Sequence, residues 1–377
     1  MNSSPAYDAV FTFFTSLTTD ARTLNLIRTF VNAGYRIAVI AQGTEEDKAK
    51  FESENFTFLN IKYSGFNKFS YKWLQYHFSA RKYIKSAKAD KYFAMDLYSL
   101  SLARKLAKKY KARLFYDSRE IYSALGPLAG RNIKQNLLSR WEKQLVKHVD
   151  DIIVSGELDA GYLKNNLRND IPYHVIMNLP FYREAIESEY IRKKFNISTD
   201  KIILLYQGML LPGRGIQPIF KALKYLDNAV FVLFGEGYYS DELEKQAAQL
   251  GIGDRVIFAG TADYDMLHEI TCSADIGLVL IEPISLSYNL ALPNKLFEYC
   301  MAGIPSLASN LPAMKKIIDN YSIGICIEHN SAPDKIAESI IELYKKKSIF
   351  RKNCLDAAKT LNYEIQTNAI LKLMEKK

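Results

Sequence analysis

What this sequence lacks narrows its chemistry first. It has only four cysteines, Cys272, Cys300, Cys326 and Cys354, each standing alone. That scatter offers neither a disulfide framework nor the paired spacing of a zinc site. Its five histidines, His77, His148, His174, His268 and His329, show no ligand spacing, and no Asp-x-Asp pair stands in a loop suited to a metal. No metal is expected, and Asp150-Asp151 reads as the ordinary start of a strand. Apolar runs of the roughly 18 residues needed to span a bilayer are missing. The first sixteen residues carry no basic segment ahead of their apolar run, so no secretory leader is read. The expected location is cytoplasmic, with the inner face of the cell membrane as the alternative. Repeats, low-complexity tracts and heptads are also missing, which sets aside solenoids and coiled coils.

At 377 residues the chain suits about two domains. Short apolar runs alternate with segments of helical period, the pattern of βαβ units and parallel sheets. Strands are expected at Val10–Phe14, Ile37–Ala41, Arg113–Asp117 and Asp151–Ser155. Helices are expected at Asp20–Asn32 and Asn132–Val149, the latter burying Leu137, Trp141, Leu145 and Val149. A second series follows the charged stretch Arg183–Lys194, with strands at Ile202–Gln207, Val230–Gly235, Val256–Gly260, Ile276–Ile281, Ser306–Ser309 and Gly324–Ile327. Tyr363–Lys377 reads as a closing helix. The resulting division is 1–185, 186–360 and 361–377.

In an open parallel sheet, ligands bind beyond the carboxyl ends of the strands. Three such exits stand out: Gln207-Gly-Met-Leu-Leu-Pro-Gly-Arg-Gly, Phe234-Gly-Glu-Gly-Tyr, and the tract from Ser287 to Pro305. Proline at 293 suits a first helical position, which places Asn294, Lys295 and Glu298 along one helix side. Arg214 and Lys295 are both expected in first helical turns, where a cation opposes the helix dipole. A pyrophosphate would repay that cost, held by free amides, arginine and lysine together. Glu298, one turn on, is suited to ribose hydroxyls. Gly208, Gly235 and Glu236 complete the candidate set, with Ser287, Asn289, Leu290 and Asn294.

At these residues the sequence resembles the retaining GT-B glycosyltransferases of the family 4 (group 1) type, like those that assemble bacterial surface polysaccharides. Ser287-Tyr-Asn-Leu-Ala-Leu-Pro-Asn-Lys-Leu-Phe-Glu-Tyr-Cys-Met-Ala-Gly-Ile-Pro carries the resemblance, supported by Tyr206–Gly215, Val256–Gly260, Phe115–Glu120 and Asn178–Pro180. It implies an α/β GT-B fold, two Rossmann-like domains facing across a cleft, with a C-terminal helix crossing back to the first. The implied reaction moves a sugar with retention from a UDP- or GDP-sugar to a saccharide or lipid-linked acceptor, without metal or cofactor. Arg214, Lys295 and Glu298 are then the catalytic set. The sequence departs from the family where a second carboxylate would stand, at Leu290, and where a second arginine would stand, at Met209. Arg119 replaces a histidine in the first domain.

On the acceptor side the candidates are Thr18, Asp20, Arg119 and Glu120, although Thr18, Thr19 and Asp20 read equally as a helix cap. Net charge is +9, and the basic aromatic stretch Lys68–Lys91 contributes much of it. An anionic membrane and a solvated helix face both remain open for that stretch. Competing functions are a GT-B epimerase or phosphorylase and, from charge alone, a nucleic-acid binder; nucleic acid is not an expected partner.

Overall fold

A computed structural model describes residues 6–17, 20–63 and 68–375. The chain divides into two compact units, Met1–Met177 with Gln366–Lys377, and Asn178–Ile365. Each is built on one all-parallel sheet flanked by helices, as expected of Rossmann-like domains.

The first sheet contains β1 (Tyr7–Ser16), β2 (Ile37–Gln42), β3 (Phe56–Ile61), β4 (Ala89–Ala94), β5 (Arg113–Ser118), β6 (Asp151–Val154) and β7 (Tyr173–Val175), in the order β3-β2-β1-β4-β5-β6-β7. Phe11, Phe93 and Phe115 are register partners on its three central strands. Their rings stack with centroids 4.7 and 4.4 Å apart, a cross-strand ladder that fixes the pairing. The second sheet contains β8 (Ile202–Gln207), β9 (Ala229–Phe234), β10 (Val256–Phe258), β11 (Ile276–Val279), β12 (Ser306–Ser309) and β13 (Gly324–Ile327), in the order β10-β9-β8-β11-β12-β13. β8 and β9 are buried along their whole length, as strands covered on both faces must be.

Three strands, β3, β4 and β7, were not among those expected from sequence. Two helices also differ. The helix from Asn132 ends at Val146, and its Leu137 is 60% exposed rather than buried. The closing helix is only Thr367–Lys372, after a short turn at Glu364–Gln366. Ile370, Leu373 and Met374 are nevertheless buried in the first unit. Lys91 donates to the Met374 carbonyl at 3.0 Å, and Gln366 exchanges two hydrogen bonds with the backbone of Met177.

A charged lock holds the carboxyl edge of the first sheet. Arg22, the second residue of the helix Ala21–Asn32, grips Asp117 through Nε and Nη2 at 2.8 and 2.9 Å. Its Nη1 donates to the Ile176 carbonyl at 2.6 Å. Both side chains are almost fully buried, so removing Arg22 leaves the Asp117 carboxylate only the longer 3.5 Å contact with Arg119. Arg22→Leu is expected to cost the first domain about 3–5 kcal/mol, read as a lower denaturant midpoint for that domain's transition.

Candidate functional site

The site begins with how three strands end. Gly208, the first residue after β8, donates its amide to the Phe234 carbonyl at 2.9 Å, and Gly235, just after β9, donates to Gly260 at 2.8 Å. The exits are thereby stitched side by side. Gly235 has φ +149°, and a Cβ there would sit 1.9 Å from the Gly208 oxygen, so this junction admits only glycine.

Lys295 comes to lie against Gly208, where a Cβ would approach its Nζ to 3.2 Å. It occupies the second position of the helix Asn294–Met301, with Pro293 as the N-cap. Arg214 does not open a helix as expected. The next helix runs Ile216–Ala222 and is capped by Gly215 at φ +68°, so Arg214 precedes the cap, because only a glycine fits the left-handed turn beside Leu280. Opposition to the dipole therefore applies to Lys295, not Arg214.

Neither cation has an ion-pair partner among the described residues. Each rests on a ring instead: the Lys295 ammonium lies 3.6 Å from the Tyr206 centroid and the Arg214 guanidinium 4.9 Å from that of Tyr288. The Arg214 Nε is buried without a hydrogen-bond partner. Dense surroundings and then the neighbouring guanidinium push the Lys295 pKa down to about 7, with Glu298 opposing. Burial raises the Glu298 pKa, while the Gln207 amide and Lys295 work to lower it. Gln207 donates to the Glu298 carboxylate through Nε2 and accepts from the Thr271 hydroxyl at 3.0 Å, which fixes the direction in which its amide points. Two cations and a carboxylate thus share one loop cluster, an arrangement able to grip a polyanion and its hydroxyl-bearing neighbour.

The other candidates surround this core unevenly. Asn294 and Glu236 are exposed; Glu236 contributes its carbonyl, which accepts from Leu210 at 3.1 Å. Ser287 and Asn289 lie half-buried in the short helix Leu286–Asn289, and Leu290 is its C-cap. Tyr206, Gln207, Thr271 and Tyr288 were not among the expected site residues, although Tyr206 and Gln207 end β8 at the first of the three strand exits.

In the first domain, Asp20 caps its helix by accepting from the Thr23 amide at 2.7 Å and also pairs with Arg119. Arg119 reaches the Thr23 hydroxyl at 2.9 Å and Asp117 at 3.5 Å. Burial works against its charge, but Asp117 and Asp20 more than offset this and hold its pKa above the ordinary value. Glu120 is exposed, and Thr18 lies outside the described residues. Asp150 and Asp151 are engaged structurally: Asp150 accepts from the Leu114 amide at 2.8 Å, and Asp151 takes Arg113 in a two-point bond.

A family model described as "Glycosyl transferases group 1" matches residues 187–361. That stretch, a little under half of the chain, is similar to the group 1 glycosyl transferases. An uncharacterised glycosyltransferase of Methanocaldococcus jannaschii is 29% identical over 200 residues, 52% of this chain and 47% of that protein. The chain thus spans about half the length of the curated relatives it matches. Among solved structures, sucrose-phosphate synthase from Thermosynechococcus elongatus superposes with a TM-score of 0.78 at 15% identity, covering 97% of this chain and 98% of that one. Anabaena HepE, solved with UDP and glucose, gives 0.75 at 16% identity over 97% and 98%. These two likenesses establish the fold.

The electrostatics of this loop cluster generate a pH signature. With its pKa near 7, Lys295 is largely neutral above neutrality, and a diphosphate beside it draws a proton back on. Binding of a nucleoside diphosphate should take up a proton above pH 7 and weaken as pH rises, by at most about tenfold per unit. Calorimetry in buffers of different ionisation enthalpy measures this. Lys295→Arg, always charged, should abolish the uptake.

Proposed function

We propose that the protein is a glycosyltransferase moving a sugar from a UDP- or GDP-linked donor to a saccharide or lipid-linked saccharide, with retention, in cell-surface polysaccharide assembly. The carrying observation is the pair of neighbouring cations, Lys295 against Gly208 and Arg214 against Tyr288, left without counter-ions among the described residues in a stretch similar to group 1 glycosyl transferases. A donor's diphosphate supplies the missing negative charge, and its departure builds up further charge where those cations already stand. In this reading fixed positive charge takes the part that a metal plays elsewhere. Gln207 orients Glu298, which holds the ribose hydroxyls, while Gly208, Gly235, Glu236, Ser287, Asn289, Leu290 and Asn294 line the donor. HepE, a structural neighbour described with UDP and with UDP-glucose, supports a nucleotide-sugar donor.

The first domain would receive the acceptor, with Asp20, Arg119 and Glu120 at its strand ends. Arg119 is held by Asp20, Asp117 and Thr23 through its Nη groups, so it serves by shaping that edge rather than by contacting the donor sugar. No described helix is long and apolar enough to cross a membrane. Peripheral contact is proposed through the helix Phe69–Ser79, where Leu74 and Phe78 are 60% and 71% exposed. They share a face with Tyr71, and the chain continues into Arg81, Lys82 and Lys85, the mixture that seats in an anionic leaflet.

Screening UDP, GDP and other nucleoside diphosphates for thermal stabilisation should single out the donor base. With that donor, Glu298→Gln and Arg214→Ala should each lower transfer roughly 100-fold or more, the scale of losing one charge-stabilising group. Full activity in both variants would overturn the reading, and product analysis separates transfer from epimerisation or phosphorolysis. Leu74→Glu with Phe78→Glu should abolish co-sedimentation with phosphatidylglycerol vesicles while leaving nucleotide binding intact.

A further inference from the structure

The edge of the first sheet carries a second recess, in a different domain from the cations of the donor site. It has a volume of about 510 Å³ and follows β3 between the helix Glu45–Phe51 and the turn Ala80–Tyr83, within the roughly 300–1,000 Å³ of small-molecule sites. Asn60 lines it. That side chain is 7% exposed, and neither its amide nitrogen nor its oxygen has a hydrogen-bond partner among the described residues. A buried primary amide with both ends unmet is costly, so something other than packing accounts for asparagine at this register position.

The lining defines what would satisfy it. An amide offers donor and acceptor side by side, the complement of adjacent hydroxyls. Thr57 and Ser79 add hydroxyls, and Phe58 and Tyr83 add ring surface. The charges largely cancel: Lys62 pairs with Glu45 at 2.9 Å and Lys48 with Glu52 at 3.6 Å. Lys82 remains, its ammonium 4.7 Å from the Tyr83 centroid. An added β-strand is disfavoured at this edge, because Phe56 already exchanges both backbone bonds with Ser53 and the Asn60 carbonyl accepts from the Tyr83 hydroxyl at 2.7 Å.

We propose that this recess is an accessory saccharide-binding site, taking a hydroxyl-rich sugar with Asn60 as its hydrogen-bonding centre. The choice of saccharide among hydroxyl-rich ligands rests on the glycosyltransferase reading above.

The test titrates the full-length protein with isomaltopentaose, as a neutral probe, and trigalacturonate, as an acidic one, with UDP and GDP in parallel. At least one oligosaccharide should bind and protect residues 45–61 and 79–83 from hydrogen exchange. Asn60→Leu should weaken that binding roughly tenfold, raise the melting temperature by removing the unpaired amide, and leave nucleotide binding unchanged. If trigalacturonate is preferred, Lys82→Ala should erase the preference. Three results would each overturn the proposal: neither sugar binds, Asn60→Leu binds as well as the parent, or the segment is protected instead by self-association. Saccharide binding without any nucleotide binding would leave this site standing and remove the donor reading. Nucleotide binding without saccharide binding would do the reverse.

Discussion

Because every strand of the second sheet runs the same way, all its carboxyl ends emerge along one edge, and everything in the candidate donor site follows from that constraint. The exits of β8 and β9 are close enough to be stitched through glycine backbone, which leaves no room for side chains at the junction. Lys295 from another exit lies against Gly208, with Arg214 near enough to act on its charge. Among the described residues neither cation has a carboxylate in ion-pair contact; aromatic faces and the more distant Glu298 soften their repulsion. Burial first, and the neighbouring guanidinium second, bring the Lys295 pKa to about 7. Because the unfolded lysine titrates far higher, this group lets stability rise with pH from about 7 toward 10.5, the reverse of an ion-paired lysine.

The same topological position in the first domain is built with the opposite electrostatics. There Arg22 and Arg119 meet Asp117 and Asp20, and the strand exits are internally neutralised. One edge is therefore satisfied before any ligand arrives, and the other is not. That contrast, more than the shared architecture, distinguishes the work proposed for the two domains, since equal folds carry unequal sites.

How much of this was legible in the sequence depended on burial. β8, β12 and β13 run over the residues expected; for β8, buried along its whole length, the cause is that a strand covered on both faces reads as a nearly unbroken apolar run. β3 was hidden because it is an edge strand, with Thr57 and Leu59 half-exposed and Asn60 inside. β4 was hidden by Asp90 and Lys91; the lysine is buried there because its partner is the Met374 carbonyl, 283 positions away, which no local window contains. Arg214, Lys295 and Glu298 were legible because glycine and proline punctuate the loops around them. Gln207 and Thr271 were not, since their roles arise from partners 91 and 64 positions distant.

The return of the chain to the first domain has a consequence for biosynthesis. Gln366 and the residues after it supply Ile370, Leu373 and Met374 to that domain's core, yet a ribosome delivers them only after the entire second domain. Domains usually mature in order of emergence. Here the earlier one must wait, incomplete along the helix Ala21–Asn32 and β4, until its neighbour has been made.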